Sequence, residues 1–159
     1  MKQPIRFLQK FSACILLIAL AAGCTVLIKD TLDARSPENS LPIINVQCGY
    51  DLQNVQRAGF TWNFITAKNK VWPSEEPPGL PLVISTVQPS SPIVISFSDE
   101  SGLESVKVSR SEGVGAAEYV VQTGDLRSPT TEGVYTYRID AKFKKGEITY
   151  FFRVDVLAQ

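Results

Sequence analysis

Residues Gly133–Leu157 read GVYTYRIDAKFKKGEITYFFRVDVL. Tyr135, Tyr137, Ile139 and Ala141 alternate with Thr136, Arg138, Asp140 and Lys142. The same period returns downstream, where Ile148, Tyr150, Phe152, Val154 and Val156 alternate with Thr149, Phe151, Arg153 and Asp155. Successive side chains of a strand point to opposite faces, so a two-residue period specifies strands. Lys144-Lys145-Gly146-Glu147 supplies the turn between them, with Gly146 expected at positive φ. The product is a hairpin with one apolar and one mainly polar face. Such an apolar face needs a second layer to cover it.

Outward from this hairpin, similar alternation recurs every dozen or so residues, punctuated by Gly, Pro, Ser and Asp. Strands are expected near Ile43–Cys48, Gly59–Ile65, Leu82–Val87, Ile93–Ser98, Ser105–Ser109, Glu118–Thr123, Val134–Lys142 and Ile148–Leu157. No long amphipathic helical pattern follows residue 30. These strands therefore supply the second layer, giving an all-β antiparallel sandwich of about seven or eight strands over residues 41–159. Trp72–Pro81 carries four prolines and is expected to be a long surface crossing.

Two features resemble immunoglobulin-type domains. Thr131-Glu132-Gly133-Val134-Tyr135 has the acidic residue, glycine and tyrosine of the tyrosine corner. The resemblance implies that the Tyr135 hydroxyl bonds back to the backbone, that Trp62 is the core tryptophan, and that Tyr137 replaces the second cysteine of antibody domains. It implies an immunoglobulin-like fold and no particular activity.

The front of the chain places the domain in a cell. Lys2, Arg6 and Lys10 precede an apolar run that ends in Ala21-Ala22-Gly23-Cys24. That is the layout of a secretory signal peptide over residues 1–23. The small residues before Cys24 resemble the lipobox of bacterial lipoproteins, although the usual leucine stands one residue further out, at Leu20. The resemblance implies a lipid on Cys24 and an anchor in the cell membrane. Lys29–Ser40 is polar and contains Pro37, so residues 24–40 are expected to be a linker. Two other readings stay open. Ala19-Leu20-Ala21 fits a simple secretory cut. The uncharged run Phe11–Ile28 has about the minimum length for an uncleaved membrane helix. In each case the positive N-terminus stays inside and the domain faces outward. The whole layout is similar to small lipoproteins of Gram-positive spore-forming bacteria.

The chain has 16 basic and 16 acidic residues, and no histidine. Without Lys2, Arg6 and Lys10 the balance is 13 to 16, or −3. A nucleic-acid partner needs a cationic surface and is not expected. The lack of histidine excludes Ser-His-Asp and Cys-His catalysis and histidine-ligated zinc. The carboxylate pairs Glu75-Glu76 and Asp99-Glu100 read as solvated loop charges. Ser98–Gly102 lacks the alternating oxygen ligands of a calcium loop. Ser111–Gly115 contains a Gly-x-Gly, but no helix pattern follows it to hold phosphate. No cofactor is expected.

Cys48 is either a small buried apolar residue, or a reactive thiol or partner in an intermolecular disulfide. Exposed aromatics are the remaining candidates. Phe151 falls on the polar side of its strand. Trp72 adjoins the prolines, either exposed or folded back over an open end of the sandwich. Trp72, with an acidic rim from Glu75 and Glu76, is the expected binding surface. The expected role is a non-catalytic interaction or structural module that meets an envelope protein or glycan. Its rivals are a protease inhibitor and, more remotely, a hydrolase using carboxylates alone.

Overall fold

A computed structural model describes residues 3–73, 79, 81–112, 119–121 and 125–157. The chain forms two compact units: residues 1–40 with 64–68, and residues 41–63 with 69–159.

The first unit is built on helix α1, Gln3–Arg35. Within its segment Cys14–Arg35 an 18-residue window reaches a mean hydropathy of 2.0 and none of that window is buried, while Ala34 near the end of the helix is. The helix runs unbroken through Ala21-Ala22-Gly23-Cys24 and on through Lys29–Arg35. Two hydroxyls are satisfied within it: Thr25 donates to the Ala22 carbonyl and Thr31 to the Leu27 carbonyl, both at 2.8 Å. Asp30 accepts from the Ile65 amide at 3.1 Å, the Thr66 amide at 2.7 Å and the Thr66 hydroxyl at 2.8 Å. The helix stops where Pro37 follows Ser36, because a proline disfavours the helical conformation of the residue before it. A short 3-10 turn, Pro37–Asn39, comes next.

The second unit holds two sheets. The smaller comprises β1 (Ile44–Cys48), β2 (Asp51–Leu52) and β6 (Ile93–Phe97), with β1 in the middle. The larger comprises β3 (Gln56–Trp62), β4 (Lys70–Trp72), β7 (Leu103–Glu112), β8 (Tyr119–Val121), β9 (Gly133–Phe143) and β10 (Gly146–Val156). Their order is β4-β3-β10-β9-β7-β8. A further strand, β5 (Ile84–Val87), lies parallel to the second half of β10, beyond the point where β3 ends its pairing. The sheets are otherwise antiparallel. Ten strands thus stand among the described residues, against the seven or eight expected. The additional ones are β2 and β4, too short to show a period.

The β9–β10 hairpin is as its alternation implies. Tyr135, Tyr137, Ile139, Ala141, Phe143, Ile148, Tyr150, Phe152, Val154 and Val156 are all buried. Tyr137 and Phe152 are directly paired across the strands and their rings stack, with centroids 4.6 Å apart. The smaller sheet turns Ile44, Val46, Cys48 and Ile93 inward. Aromatic rings join the two sheets: Phe97 of β6 meets the Phe143 ring edge-on at 5.7 Å and the Tyr150 ring at 6.4 Å. The Tyr150 hydroxyl donates to the Pro42 carbonyl at 2.8 Å, so a deeply buried phenol keeps its hydrogen bond. The Trp62 ring stands edge-on to Phe143 at 5.6 Å. The result is a sandwich-like pair of sheets around an aromatic core.

Three details differ from the sequence expectation. The hairpin loop is only Lys144-Lys145, and Gly146 already pairs within β10. Gly146 has the expected positive φ, 157°, and is required by close approach as well, since a Cβ there would land on the Thr61 carbonyl of β3. Strand β3 begins earlier and ends sooner than expected, at Gln56 and Trp62, and a bulge opposite Thr149/Tyr150 leaves Ala58 unpaired. Phe151 is not an exposed ring. It is buried in a small cluster with Ala58, with Leu82 packed against it.

Trp62→Ala is expected to cost about 3–5 kcal/mol, as for other buried large aromatics. Tyr135→Phe, which deletes a single hydroxyl, should cost roughly 0.5–1.5 kcal/mol. Urea denaturation of both variants checks the ordering, and equal small effects would contradict it.

Candidate functional site

In the second unit an open cleft of about 570 Å³ lies between the β1–β2 turn and the β5–β6 loop. The turn is Gly49-Tyr50, joining the paired residues Cys48 and Asp51. Gly49 has φ 62°, the value that the first central residue of a tight two-residue hairpin turn demands. Tyr50 stands at the tip with 99% of its surface exposed. The facing wall is Gln88-Pro89-Ser90-Ser91-Pro92, with Thr86, Val87 and Leu157 completing the lining.

That wall is held by hydrogen bonds with Arg127, Ser128 and Pro129. The buried Ser128 hydroxyl accepts from the Ser91 amide at 2.8 Å and donates to the Gln88 carbonyl at 2.7 Å. The Ser128 amide donates to the Ser91 carbonyl at 2.9 Å, and the Ser90 amide to Pro129 at 3.2 Å. The Arg127 guanidinium donates to the Ser90 carbonyl at 3.2 Å, and its Nε is paired with Asp125. The opposite wall is tied in through the Gly49 amide, which donates to the Pro92 carbonyl at 2.8 Å. Ser90 sits at φ 60°, a left-handed conformation that costs a non-glycine residue about 1–2 kcal/mol. The surrounding bonds hold it there.

Cys48 lines the floor of this cleft but is buried. Burial, and next the nearby Asp51 charge, push its thiol from an ordinary 9.0 up to about 12. A thiol so disfavoured as thiolate is a poor nucleophile and a poor partner for disulfide exchange. This geometry supports the small buried apolar residue.

Trp72 is not among the residues that line the cleft. Cys24 is exposed on α1. Trp72 ends the outer strand β4, paired with Phe60, and 51% of its surface is exposed. Trp72 is therefore half-exposed and in a strand, where the sequence implied the start of a crossing. Glu75 and Glu76 lie outside the described residues, as do residues 113–115 of the Gly-x-Gly segment. Asp99 serves a turn. Hydrogen bonds from the Ser101 hydroxyl and amide hold its carboxyl below the usual range. Among the described residues no group of three His, Cys, Asp or Glu is placed to hold a metal ion.

No protein-family model, no curated protein and no solved structure matches this chain. The site is accordingly read from its own geometry. Sequence reasoning passed over Tyr50, Asp51 and Ser90. The usable signals were Gly49-Tyr50 between two strand-like runs and the Pro89-Ser90-Ser91-Pro92 turn.

With its thiol pushed to about 12, Cys48 should resist labelling by a disulfide reagent at pH 8 in the folded protein and react promptly in urea. Because the folded value is the raised one, the stability it contributes is full below pH 9.0 and is lost as pH rises towards about 12. Cys48→Ala should flatten that alkaline decline. Prompt labelling without denaturant would contradict the assignment.

Proposed function

We propose that this protein is a membrane-tethered, non-catalytic interaction module whose β domain faces outward from the cytoplasm. The observation that carries the reading is the apolar helix: Cys14–Arg35 is long enough to cross a bilayer, and residues 14–29 of it are all exposed. Lys2, Arg6 and Lys10 before it favour a cytoplasmic N-terminus. The chain has no histidine for acid–base or nucleophilic work, and Asp99 is committed to its turn. We read the domain as immunoglobulin-like. In support, the Tyr135 hydroxyl donates to the Thr131 carbonyl, four residues upstream, at 3.1 Å. Half-exposed Trp72 is the proposed contact for an envelope protein, with Glu75 and Glu76 as its acidic neighbours.

The tether is proposed to be a lipid on Cys24, because small residues precede this cysteine at the end of an apolar run. One observation favours the uncleaved anchor instead: α1 continues without a break past Cys24 to Arg35. Both hold the domain at the membrane, and they differ in the mature N-terminus.

Intact mass spectrometry of the membrane fraction, with a fatty-acid probe, separates them. A lipid anchor gives a chain beginning at a modified Cys24, and Cys24→Ser abolishes the label and leaves the precursor uncut. An uncleaved anchor gives an unlabelled chain that retains the residues before Cys24. A soluble, unlabelled chain cut after Ala21 would overturn the tether altogether.

A further inference from the structure

We infer that the cleft between the Gly49–Tyr50 turn and the Gln88–Pro92 loop is a binding site for a neutral saccharide. The inference goes beyond the Trp72 contact and rests only on the reading that the domain is non-catalytic and outward-facing. Its volume, about 570 Å³, falls within the range of small-molecule sites. Its lining decides the class of ligand.

Among the described lining residues there is no lysine or arginine. A phosphate or carboxylate ligand would meet the Asp51 carboxylate, while the Arg127 guanidinium that bonds the wall is already held by Asp125 and the Ser90 carbonyl. A wholly apolar ligand would strip water from Asp51, Thr86, Ser90 and Ser91 without replacing it. A polyol meets both conditions. Its hydroxyls donate to the Asp51 carboxylate, whose two oxygens suit neighbouring hydroxyls, and exchange bonds with the serine and threonine hydroxyls. A sugar ring also has a face of C–H bonds, and this is the surface that an aromatic ring attracts.

Tyr50 supplies that ring. Its exposure is almost complete, so it contributes little to the fold. It is nonetheless carried on a two-residue turn, the stiffest connection a hairpin has, and lines the cleft. The opposite wall is fixed in advance by Ser128, Arg127 and the Gly49–Pro92 bond. A wall already ordered, with Ser90 held in a left-handed conformation, reduces the entropy lost when a ligand docks. The fold thus maintains a strained loop and a bare aromatic on either side of one polar cleft, and neither serves the core.

The test uses the full chain in detergent micelles, titrated calorimetrically with cellotriose, maltotriose and triacetylchitotriose. At least one should bind, with a Kd no weaker than about 1 mM. Tyr50→Ala should weaken that binding about tenfold, the loss of one aromatic stack, with an unchanged melting temperature. Asp51→Asn should weaken it as well, and Trp72→Ala should leave it unaltered. No binding by any of the three up to about 10 mM overturns the inference. So does binding that persists in both Tyr50→Ala and Asp51→Asn, or that is lost only in Trp72→Ala. Cleavage of a bound trisaccharide would leave the site standing and overturn the non-catalytic reading instead.

Discussion

The β9–β10 hairpin bears on every other part of the β domain. Eleven residues of β9 pair with eleven of β10, from Gly146↔Phe143 to Val156↔Gly133. Both outer edges of this ladder are used. Strand β7 runs along β9, while β3 and then β5 share the free side of β10. The inward rings of the hairpin are also what the smaller sheet packs upon, through Phe97 against Phe143 and Tyr150. Each large buried side chain of this kind is worth roughly 1.5–3 kcal/mol. Because these rings sit on two paired strands in one register, a slip of one residue would turn all of them to solvent together.

Gly146 shows how tightly that register is set. Its position against the Thr61 carbonyl leaves no room for a side chain, so this end of the β3–β10 pairing needs a glycine. The Asn63 amide then donates to the Lys145 carbonyl at 2.8 Å, continuing the contact beyond the strand. Further along β10 a bulge at Ala58 interrupts the β3 pairing, which ends at Phe151↔Gln56, and β5 takes its place from Arg153. The chain leaving β5 enters the Gln88–Pro92 loop, where Leu157, just past β10, donates to the Val87 carbonyl at 3.1 Å. The cleft wall is therefore continuous with the hairpin that organises the core.

What was legible in the sequence follows from how local each signal is. The hairpin is read directly from its period, and the bond from Tyr135 to the Thr131 carbonyl from the Glu132-Gly133-Val134-Tyr135 pattern beside it. Strands β2 and β4 have two and three residues, too few to show any period. Phe151 misleads because alternation gives only the face of a strand. Its burial comes from Leu82, a residue distant in sequence. Lys29–Arg35 reads as polar linker because a solvent-facing helix and a linker share the same charges, while Asp30 is satisfied by Ile65 and Thr66 far along the chain. The cleft was the least legible feature. Its walls come from Cys48–Asp51 and Thr86–Pro92, and Ser128 locks it from a third segment, so no single window contains the site.

Native-state amide hydrogen exchange across the β domain tests the central role of the hairpin most directly. If β9–β10 organises the fold, the amides of Tyr137, Ile139, Ile148 and Phe152 exchange only by global unfolding, share one opening free energy, and are the slowest in the chain. The short outer strands β2 and β4 exchange faster, by local opening. Hairpin amides that exchange as fast as those of β2 and β4, while β1 and β6 remain protected, would contradict the account and place the organising core in the smaller sheet.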